Sequence, residues 1–401
     1  MHHPNLLPRI IDCVDYTNYQ EVQNLHRMLR KWPLIPFQFA LQLLDYSYPD
    51  ERVHEFAIKC LNVEKDDTIE LFFCQLVQAL KHQNYYNSVL SHFLLSRAFK
   101  NQRLGHKLFW SLKCEFSTDL DQDQSTLMLV LVLEAYLLAA QGHLAILQTQ
   151  KEFLTLLNEI NATLIVQECR TPEFSRRNEL FLANIKRFLV PMSKDGFISI
   201  TDPSVRVKDI QVDLCSLMKS KMKPQKLFLN NYDSNYAVDK ELKKISYIYK
   251  IGDDLRQDAL VMNMLMIIDD LWKRSEARLD LKMTTYCVVP TEHARGVIEF
   301  VQDAETVCRI QMKESSTNSS GDMASWMKKV NSPFQEHLIY QWLKHNNPGD
   351  DELAEAAENF LLSCCGYTVA MYVLGVGDRH NDNIMVNKNG KVKILVKQNF
   401  T

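Results

Sequence analysis

The sequence predicts a multidomain protein in which an all-α helical solenoid precedes an α+β domain, and three observations support this fold class. The chain has 401 residues, and domains of about 100 to 200 residues make two or three units the expectation. Apolar residues make up 46% and charged residues 24% of the chain, which suffices for sizeable cores and excludes a disordered composition. The low glycine count of 11 and the long stretches of helical spacing argue against an all-β fold.

The first half of the chain is predicted to be helical. Between residues 37 and 113 apolar residues recur at spacings of three and four, the pattern of amphipathic helices. These helices follow one another about every 17 residues, so that pairs repeat at a length close to that of HEAT motifs and indicate a short α-solenoid. Asp50, Asp66 and Asp67 stand where helix N-caps are expected. Further helices are predicted over residues 126–160 and 173–190.

A second domain is predicted to begin where the helical pattern breaks, at the Pro- and Gly-containing segment 191–196. Beyond it, runs rich in β-branched and aromatic residues alternate with helical patterns, which indicates an α+β domain. Residues 314–322 are expected to form a polar surface loop because they contain no core-forming side chain. Strands are predicted at 245–250, 283–289 and 296–301, and helices at 260–272, 333–346 and 350–373.

Composition also narrows the compartment and the class of partner. A net charge of −3 gives no global basic signature, so nucleic acid is not expected as a partner. The ten cysteines include no Cys-x-x-Cys pair, and we expect buried thiols in a reducing compartment. The N-terminus has no signal-peptide pattern. The apolar runs 127–133 and 136–140 are interrupted by Glu134 and fall short of the ~20 residues that span a membrane, so we expect a core helix there.

The string Gly-Val-Gly-Asp-Arg-His-Asn-Asp-Asn-Ile-Met at 375–385 carries the most chemistry. Directly after a long predicted helix it supplies a general base, a carboxylate to orient that base and an amide oxygen able to bind a metal. Phosphoryl transfer needs little more than a positioned hydroxyl, magnesium and a cationic group on the nucleotide. On its own, however, an Asp-Arg-His triplet is equally compatible with an ordinary polar turn.

A second string, Tyr-Lys-Ile-Gly-Asp-Asp-Leu-Arg-Gln-Asp at 249–258, places Lys250 at the end of a predicted strand, before a turn and a helix. A lysine in this position can meet a phosphate as a point charge while neighbouring carboxylates orient it. Taken alone, the residues also fit a solvated strand end.

Together the two strings resemble the phosphatidylinositol 3-kinase family. Segments similar to the accessory helical domain of that family lie at 31–33, 40–45, 76–81, 93–98 and 101–106. Residues 220–224 resemble its phosphate-covering loop, and residues 361–367 resemble the helix before its catalytic loop. Among the branches of the family, these strings are most similar to the class I catalytic subunits, particularly the beta and delta isoforms, and the similarity runs from about residue 25 to about residue 390.

The resemblance implies a domain order and a set of site residues. It implies an accessory helical domain over 1–190, a protein-kinase-like N-lobe over 191–298, a hinge and partial C-lobe over 299–390, and an aberrant tail over 391–401. The implied catalytic residues are His380 as base or transition-state stabiliser, with Asp378 and Arg379 beside it. The implied nucleotide-binding residues are Ser220, Lys250, Asp258, Tyr286, Ile298, Glu299, Val301 and Met385, and the implied magnesium ligand is Asn383.

The resemblance also implies cofactors, partners and an activity. The cofactors would be ATP and Mg²⁺, and the substrate a phosphoinositide lipid, with the 4,5-bisphosphate preferred by class I enzymes. The reaction would transfer the ATP γ-phosphoryl group to the inositol 3-hydroxyl. A regulatory subunit with SH2 domains and a cytoplasmic location with peripheral recruitment to the plasma membrane are expected on the same ground.

The sequence departs from the family after Asn389 and Gly390. The family continues into His-Ile-Asp-Phe-Gly, whose aspartate binds magnesium, and by register Val396 falls near that position. A valine cannot ligate a cation that takes oxygen ligands. We therefore expect a product truncated at both ends, with an incomplete C-lobe, no activation loop and little or no activity. A non-catalytic binding or competitor module remains the alternative, and a related protein kinase is disfavoured by the short solenoid.

Overall fold

The computed structural model describes residues 3–83, 85–116, 124–168, 174–192, 196–218, 222–232, 244–300, 303–317, 337–377 and 379–395. The chain divides into two compact units. The first comprises residues 1–245, 249–253 and 289–297, and the second comprises residues 246–248, 254–288 and 298–401. The division runs through strands β5 to β7, whose residues belong partly to each unit.

The first unit begins with helices, most of which lie in the ranges predicted to be helical. They are α1 (Leu7–Ile11), α2 (Tyr19–Lys31), α3 (Phe37–Gln42), α4 (Glu51–Leu61), α5 (Asp66–Leu71), α6 (Phe73–Ala79), α7 (Val89–Lys100), α8 (Gln102–Lys113), α9 (Gln124–Ala139), α10 (Gln141–Glu168), α11 (Phe174–Asn184) and the short α12 (Val190–Met192). Their buried leucines and aromatic residues form the core of this layer, as the periodicity predicted. The helical N-terminal region is thereby confirmed.

Two predicted N-caps have different outcomes. The prediction for Asp50 is confirmed, because its carboxylate accepts the backbone N–H of Arg52 and caps α4. The prediction for Asp66 is wrong, since Lys65 occupies the N-cap of α5 and Asp66 is its first helical residue. The carboxylate of Asp66 instead binds Arg97 on α7 at 2.6 Å. A partner distant in sequence therefore takes the oxygen that a local cap would have used.

The helix predicted over 126–160 is interrupted. Helix α9 ends at Ala139, and α10 starts at Gln141, with a bend of 113° between the two. The hydroxyl of Tyr136 on α9 lies where a Cβ at Gly105 on α8 would be, so glycine is what lets this ring reach α8. Because the chain bends between them, α9 and α10 both contribute to one buried region beside α8.

The first unit also contains a sheet that packs on α10. Its strands are β1 (Phe197–Ile198), β2 (Arg206–Ile210), β3 (Ser216–Leu217), β4 (Gln225–Asn231), β5 (Lys244–Ile251), β6 (Val288–Glu292) and β7 (Arg295–Glu299). Their order is β1-β2-β4-β5-β7-β6, with β3 antiparallel to β4. The hydroxyl of Tyr249 donates to the side-chain oxygen of Asn158 at 2.8 Å, and the Gln225 amide donates to the carbonyl of Leu157 at 3.2 Å. These bonds join the sheet to the C-terminal half of α10.

The second unit combines helices with a small antiparallel sheet. The helices are α13 (Arg256–Arg274), α14 (Val307–Thr317), α15 (His337–Asn346) and α16 (Asp350–Leu374). The sheet has the order β10-β9-β8 and consists of β8 (Ala304–Thr306), β9 (Ile384–Asn387) and β10 (Val392–Ile394). Its core joins Val307, Ile310, Trp342, Leu343, Ala356 and Val386. The structure therefore gives a kinase-like α+β domain after the helical region.

Two of the predicted element bounds differ in this unit. The strand predicted over 283–289 begins only at Val288, because the hydroxyl of Tyr367 on α16 binds the carbonyl of Thr284 at 2.6 Å and residues 281–287 run as irregular chain. The loop predicted over 314–322 is also wrong at its start, since α14 continues to Thr317. The remainder of that segment lies outside the described residues.

By length and composition, α16 is the single helix among the described ranges that could cross a membrane, and the bent pair α9–α10 qualifies only when both are joined. Core helices of water-soluble domains pass the same test, and α16 buries Ala356, Tyr367 and Ala370. Leu361, Val369 and Tyr372 are exposed, whereas Phe360 packs against the core.

Candidate active site

The catalytic-loop string follows the end of α16. Gly375 has a φ of +64°, and its N–H donates to the carbonyl of Tyr372, while the N–H of Val376 donates to the carbonyl of Met371. A left-handed residue with this pair of bonds terminates a helix and reverses the chain, and glycine adopts the conformation without a Cβ penalty. Gly375 thus ends α16 and lets the chain turn into the loop.

Arg379 connects the loop to the chain beyond β10. Its Nε donates to the carbonyl of Gly377 at 2.7 Å, and its Nη1 donates to the carbonyl of Leu395 at 3.3 Å. The N–H of Leu395 in turn donates to the carbonyl of Asn383 at 2.8 Å. Arg379 therefore positions the loop backbone in this structure.

His380 and Asn383 lie together in one turn. The side chain of Asn383 is fully buried, and its Oδ1 accepts the backbone N–H of His380 at 3.1 Å. The backbone N–H of Asn383 donates to the carbonyl of His380 at 3.0 Å. These two bonds close a tight turn, so Asn383 fixes the position of His380.

The environment of the His380 ring selects its tautomer. The backbone N–H of Asp382 donates to Nδ1 of His380 at 3.2 Å, and the Asp382 carboxylate lies 4.0 Å from the same nitrogen. Because Nδ1 accepts a hydrogen bond, the neutral ring carries its proton on Nε2. The side chain is 45% exposed, which leaves the ring accessible as a hydrogen-bond donor.

Helix α14 supports the loop from a distant part of the sequence. The N–H of Cys308 donates to the carbonyl of Asn381 at 2.9 Å, and the Asn381 amide donates to Gln311 at 3.0 Å. Burial, together with the neighbouring Asp382 carboxylate, raises the pKa of the Cys308 thiol. The sequence reasoning missed Cys308 and Gln311, because no local motif connects them to the loop.

The predicted hinge is held by two kinds of contact. The N–H of Glu299 donates to the carbonyl of Cys287 at 2.8 Å, and the Glu299 carboxylate accepts the N–H of Cys287 at 2.9 Å. The hydroxyl of Ser246 donates to the carbonyl of Phe300 at 2.8 Å. Ser246 is a second residue that the motifs did not indicate. Ile298, the other described hinge residue, is buried on β7.

The remaining predicted pocket residues of the second unit are buried. Asp258 lies in the first turn of α13, Tyr286 in the irregular segment before β6, and Met385 on β9 opposite Lys393 and Thr306. Burial raises the pKa of Tyr367, with the nearby Tyr286 contributing, and the Tyr367 hydroxyl holds this irregular segment through Thr284. The roles of these residues in nucleotide binding stay predictions.

Lys250 lies in the first unit, next to the end of β5. Its side chain is only 13% exposed, and Nζ is 3.5 Å from the Asp253 carboxylate. Gly252 has a φ of +95°, and its N–H donates to the carbonyl of Ala294 at 2.8 Å. A Cβ at Gly252 would overlap the terminal methyl of Met222, so the loop containing Met222 lies against this turn. The structure thus places a half-buried cation beside a carboxylate and a tight turn.

Several predicted positions cannot be placed. Ser220, Val301, Asp378 and Val396 lie outside the described residues. Within the described ranges there is no group of three or more His, Cys, Asp and Glu side chains that could hold a metal ion. The oxygen donors near His380 are the Asn383 amide and the Asp382 carboxylate, which are of the type that Mg²⁺ prefers.

The hairpin of β9 and β10 is fastened to α16. The hydroxyl of Ser363 accepts the N–H of Val392 at 2.9 Å, and the Asn359 amide donates to the carbonyl of Asn389 at 3.1 Å. Gly390, with a φ of +87°, lies directly against the carbonyl of Ala356. Residues 392–394, which the sequence reasoning assigned to a departing tail, are therefore a paired strand.

Two family profiles match the chain. The accessory domain of the phosphoinositide 3-kinase family, the PIK domain, matches residues 1–148. The phosphatidylinositol 3- and 4-kinase domain matches residues 244–395 and includes both Lys250 and the loop of His380. The two matches have the order that the fold shows, with the helical region first.

Curated relatives agree with these profiles. Phosphatidylinositol 3-kinase 2 of Dictyostelium discoideum is 34% identical over 388 residues, which is 96% of this chain and 19% of the relative. Phosphatidylinositol 3-kinase 3 of the same organism is 35% identical over 395 residues, 96% of this chain and 21% of the relative. Phosphatidylinositol 3-kinase 1 is 33% identical over 389 residues, 97% of this chain and 23% of the relative. The chain thus spans about a fifth of the length of these relatives.

Proposed function

We propose that this chain, which belongs to the phosphoinositide 3-kinase family, carries the nucleotide-phosphate lysine and the catalytic loop of a lipid kinase. The reaction transfers the γ-phosphoryl group of ATP to the 3-hydroxyl of a phosphoinositide. The observation that carries the proposal is the turn from His380 to Asn383, in which a buried amide fixes an exposed imidazole directly after α16. Such fixed donors are what phosphoryl transfer requires of a protein.

His380 acts as a hydrogen-bond donor in this proposal. With Nδ1 occupied by the N–H of Asp382, the neutral ring presents Nε2–H. An N–H donor stabilises the negative charge that develops on the transferred phosphoryl group. Proton abstraction by Nε2 would first require the other tautomer and the loss of the Asp382 bond. The geometry therefore favours transition-state stabilisation over the role of general base.

Lys250 contacts the nucleotide phosphates, and Asp253 holds its ammonium group in place until the nucleotide binds. Ser220 contacts phosphate from the preceding loop, and Glu299 and Val301 contact adenine through their backbone groups. The nucleotide site is lined by Asp258, Tyr286, Ile298 and Met385. The apolar side chains among them, which are buried, form its apolar part. Asp378 accompanies His380 in the catalytic loop. These assignments rest on the family motifs.

Magnesium fits the donor chemistry of the loop. Asn383 would hold the ion, with Asp382 the nearest carboxylate, and Mg²⁺ commonly takes one or two protein ligands besides phosphate oxygens and water. When bound, it neutralises charge on the β- and γ-phosphates. The protein side chains, in contrast, orient the nucleotide through Lys250 and donate from His380.

We assign the preferred lipid, the protein partner and the location from the resemblance of the motifs to class I enzymes. We propose phosphatidylinositol 4,5-bisphosphate as the preferred lipid and a regulatory subunit with SH2 domains as a partner. We further propose a cytoplasmic protein that is recruited peripherally to the plasma membrane. Activity on unphosphorylated phosphatidylinositol alone would contradict the class I assignment.

The 401-residue chain itself is proposed to have little activity. Residues 391–401 contain no aspartate or glutamate, although the family places a magnesium-binding aspartate there. Loss of one such electrostatic group costs about 10²–10³ in turnover. A chain with intact helices and nucleotide-binding residues but weak catalysis would serve as a binding or competitor module, which is the second candidate function.

Nucleotide binding tests the placement of the phosphate site. We expect Lys250→Met to weaken binding of a fluorescent ATP analogue by about tenfold or more, the loss of one charge-assisted contact. Lys59→Met, which removes an exposed lysine on α4, is the control and should bind like the unmodified chain. Equal affinity of all three folded proteins would overturn the assignment of Lys250.

A further inference from the structure

A buried polar cluster in the first unit takes no part in the proposed reaction. Helix α8 contributes His106 and Trp110, α9 contributes Tyr136, and α10 contributes His143 and Gln150, and all five side chains are buried. The rings of His106 and His143 lie 5.8 Å apart between centroids. We refer to these two residues as the histidine pair.

The cluster also contacts residues 198–200, at the start of the sheet. Nε2 of His106 lies 2.9 Å from the carbonyl oxygen of Ile200. The Gln150 amide donates to the carbonyl oxygens of Ile198 and Ser199, both at 3.0 Å. Residues 198–200 run from the last residue of β1 toward β2, so the cluster fastens three helices to the start of the sheet.

The contacts determine which nitrogen of each histidine is the donor and which is the acceptor. Because a carbonyl only accepts, Nε2 of His106 carries the proton and its Nδ1 is left as an acceptor. Nδ1 of His143 lies 2.7 Å from the Tyr136 hydroxyl, and a phenol is a good donor, so His143 carries its proton on Nε2. The two remaining nitrogens of the histidine pair are then one donor, Nε2 of His143, and one acceptor, Nδ1 of His106.

Four buried polar atoms of the cluster have no partner within the part of the chain that the structure describes. They are Nδ1 of His106, Nε2 of His143, Nε1 of Trp110 and Oε1 of Gln150. With the tautomers above, two of them are donors and two are acceptors. One water molecule offers two donors and two acceptors, and ordered water is the usual partner of such buried groups.

We propose that this cluster binds an internal water that links His143 to His106, and that the linked, neutral histidine pair is an acid-sensitive latch between helices α8 to α10 and residues 198–200. Protonation of either ring turns its acceptor nitrogen into a donor. On His143 the Tyr136 hydroxyl must then change from donor to acceptor, and on His106 the water must do the same, so charging either ring disrupts the alternating donors and acceptors of the cluster. The latch therefore opens when the pair becomes charged.

The surroundings offer little to stabilise a charged pair. The titratable groups that face it are Tyr136 from α9 and Asp202 from the segment after Ile200, while α10 contributes only the neutral Gln150. Burial lowers the pKa of His106, with Asp202 opposing the shift, and burial together with His106 lowers the pKa of His143 to about 4. The unfolded chain binds protons near the usual histidine pKa of about 6.5. Stability is thus fully present above that pH and is lost as the pH falls from there toward about 4.

Neutral side chains that keep the native bonds provide the test. In His106→Gln the amide can still donate to Ile200, and in His143→Asn the oxygen can still accept from Tyr136. We expect the melting temperature of the full chain to drop between about pH 7.5 and about pH 5, and the drop to be smaller by about 2–4 °C per replaced histidine. His92→Gln, at an exposed site on α7, should behave like the unmodified chain. An unchanged drop in the double variant would overturn the proposal.

The unmodified chain provides a second test that does not depend on the folding of variants. In ¹⁵N spectra of labelled histidines, both rings of the pair should be Nε2–H tautomers near pH 7.5, and His143 should remain so to about pH 5. A ring that titrates near its ordinary pKa, or that carries its proton on Nδ1, would overturn the latch. In a high-resolution crystal structure, density for a water between the rings is expected, and rings in direct contact would contradict the water site.

Discussion

The side-chain oxygen of Asn383 accepts the backbone N–H of His380 at 3.1 Å, while the carbonyl of His380 accepts the backbone N–H of Asn383 at 3.0 Å. This reciprocal pair closes the turn that carries the imidazole of His380. The residue that we propose as a magnesium ligand therefore has a structural role, because its amide fixes the loop.

Removing that amide should loosen the loop. Asn383→Ala leaves the N–H of His380 without its acceptor, and we expect the free energy of unfolding to fall by about 1–3 kcal/mol. Urea denaturation measures the change. Asn389→Ala, at an exposed position in the hairpin of β9 and β10, is the control. Its free energy of unfolding should stay within about 0.5 kcal/mol of that of the unmodified chain. Equal stabilities of the two variants would show that the turn does not depend on the Asn383 side chain.

The irregular segment before β6 should depend on one hydroxyl. Tyr367→Phe removes the buried bond to the carbonyl of Thr284, and we expect a loss of about 1–3 kcal/mol in unfolding free energy with faster hydrogen exchange in residues 281–287. Tyr340→Phe, which removes an exposed hydroxyl on α15, should change neither quantity. If exchange in the segment is the same in both variants, another contact holds it.

The hairpin turn should not tolerate a side chain at Gly390. Its positive φ is costly for any L-residue, by about 1–3 kcal/mol, and a Cβ would overlap the carbonyl of Ala356. We expect Gly390→Ala to lower the melting temperature of the chain. At Gly142, where a Cβ would meet nothing within 4 Å, alanine should leave stability unchanged or slightly higher. A harmless Gly390→Ala would contradict the packing of the hairpin on α16.

The interhelical contact of Asp66 should depend on pH. Hydrogen bonding from Asn101, followed by Arg97, lowers the pKa of Asp66 below its usual value of 3.8. A carboxyl with a lowered pKa stabilises the fold above its unfolded pKa and loses that contribution as the pH falls through the folded value. Asp66→Asn should therefore cost about 1 kcal/mol near neutral pH and progressively less below about pH 4. Asp67→Asn, at a side chain that is 85% exposed, is the control and should change the free energy of unfolding near neutral pH by less than about 0.5 kcal/mol.

What the sequence could predict was local. The periodic apolar residues predicted the helices, and Asp50 caps α4 as expected. The turn that joins His380 to Asn383 is just as local, although the sequence analysis did not predict it. Where the sequence was misleading, a distant partner intervened. Arg97 binds the carboxylate of Asp66, and Tyr367 takes the carbonyl of Thr284 that a strand would have used.

The contacts that support the candidate site could not be predicted from the sequence either. Ser246 holds the hinge at Phe300, and Cys308 holds the catalytic loop at Asn381, although each is distant in sequence from the group it contacts. Neither belongs to a motif, and each makes its contact through a backbone group or a small side chain. Only the tertiary fold brings them to these positions, so composition and spacing give no signal for them.

We propose that the turn of His380 serves lipid phosphorylation and that the valine at position 396, in place of an aspartate, limits the reaction. The most direct measurement is magnesium-dependent transfer of labelled phosphate from ATP to phosphatidylinositol 4,5-bisphosphate vesicles by the unmodified chain and by Val396→Asp, with Gln398→Asp as the control for an added charge. We expect near-background product from the unmodified chain and from the control. We expect more 3-phosphorylated lipid from Val396→Asp, and none when His380→Ala is added. Abundant 3-phosphorylated lipid from the unmodified chain, or product that persists without His380, would contradict it.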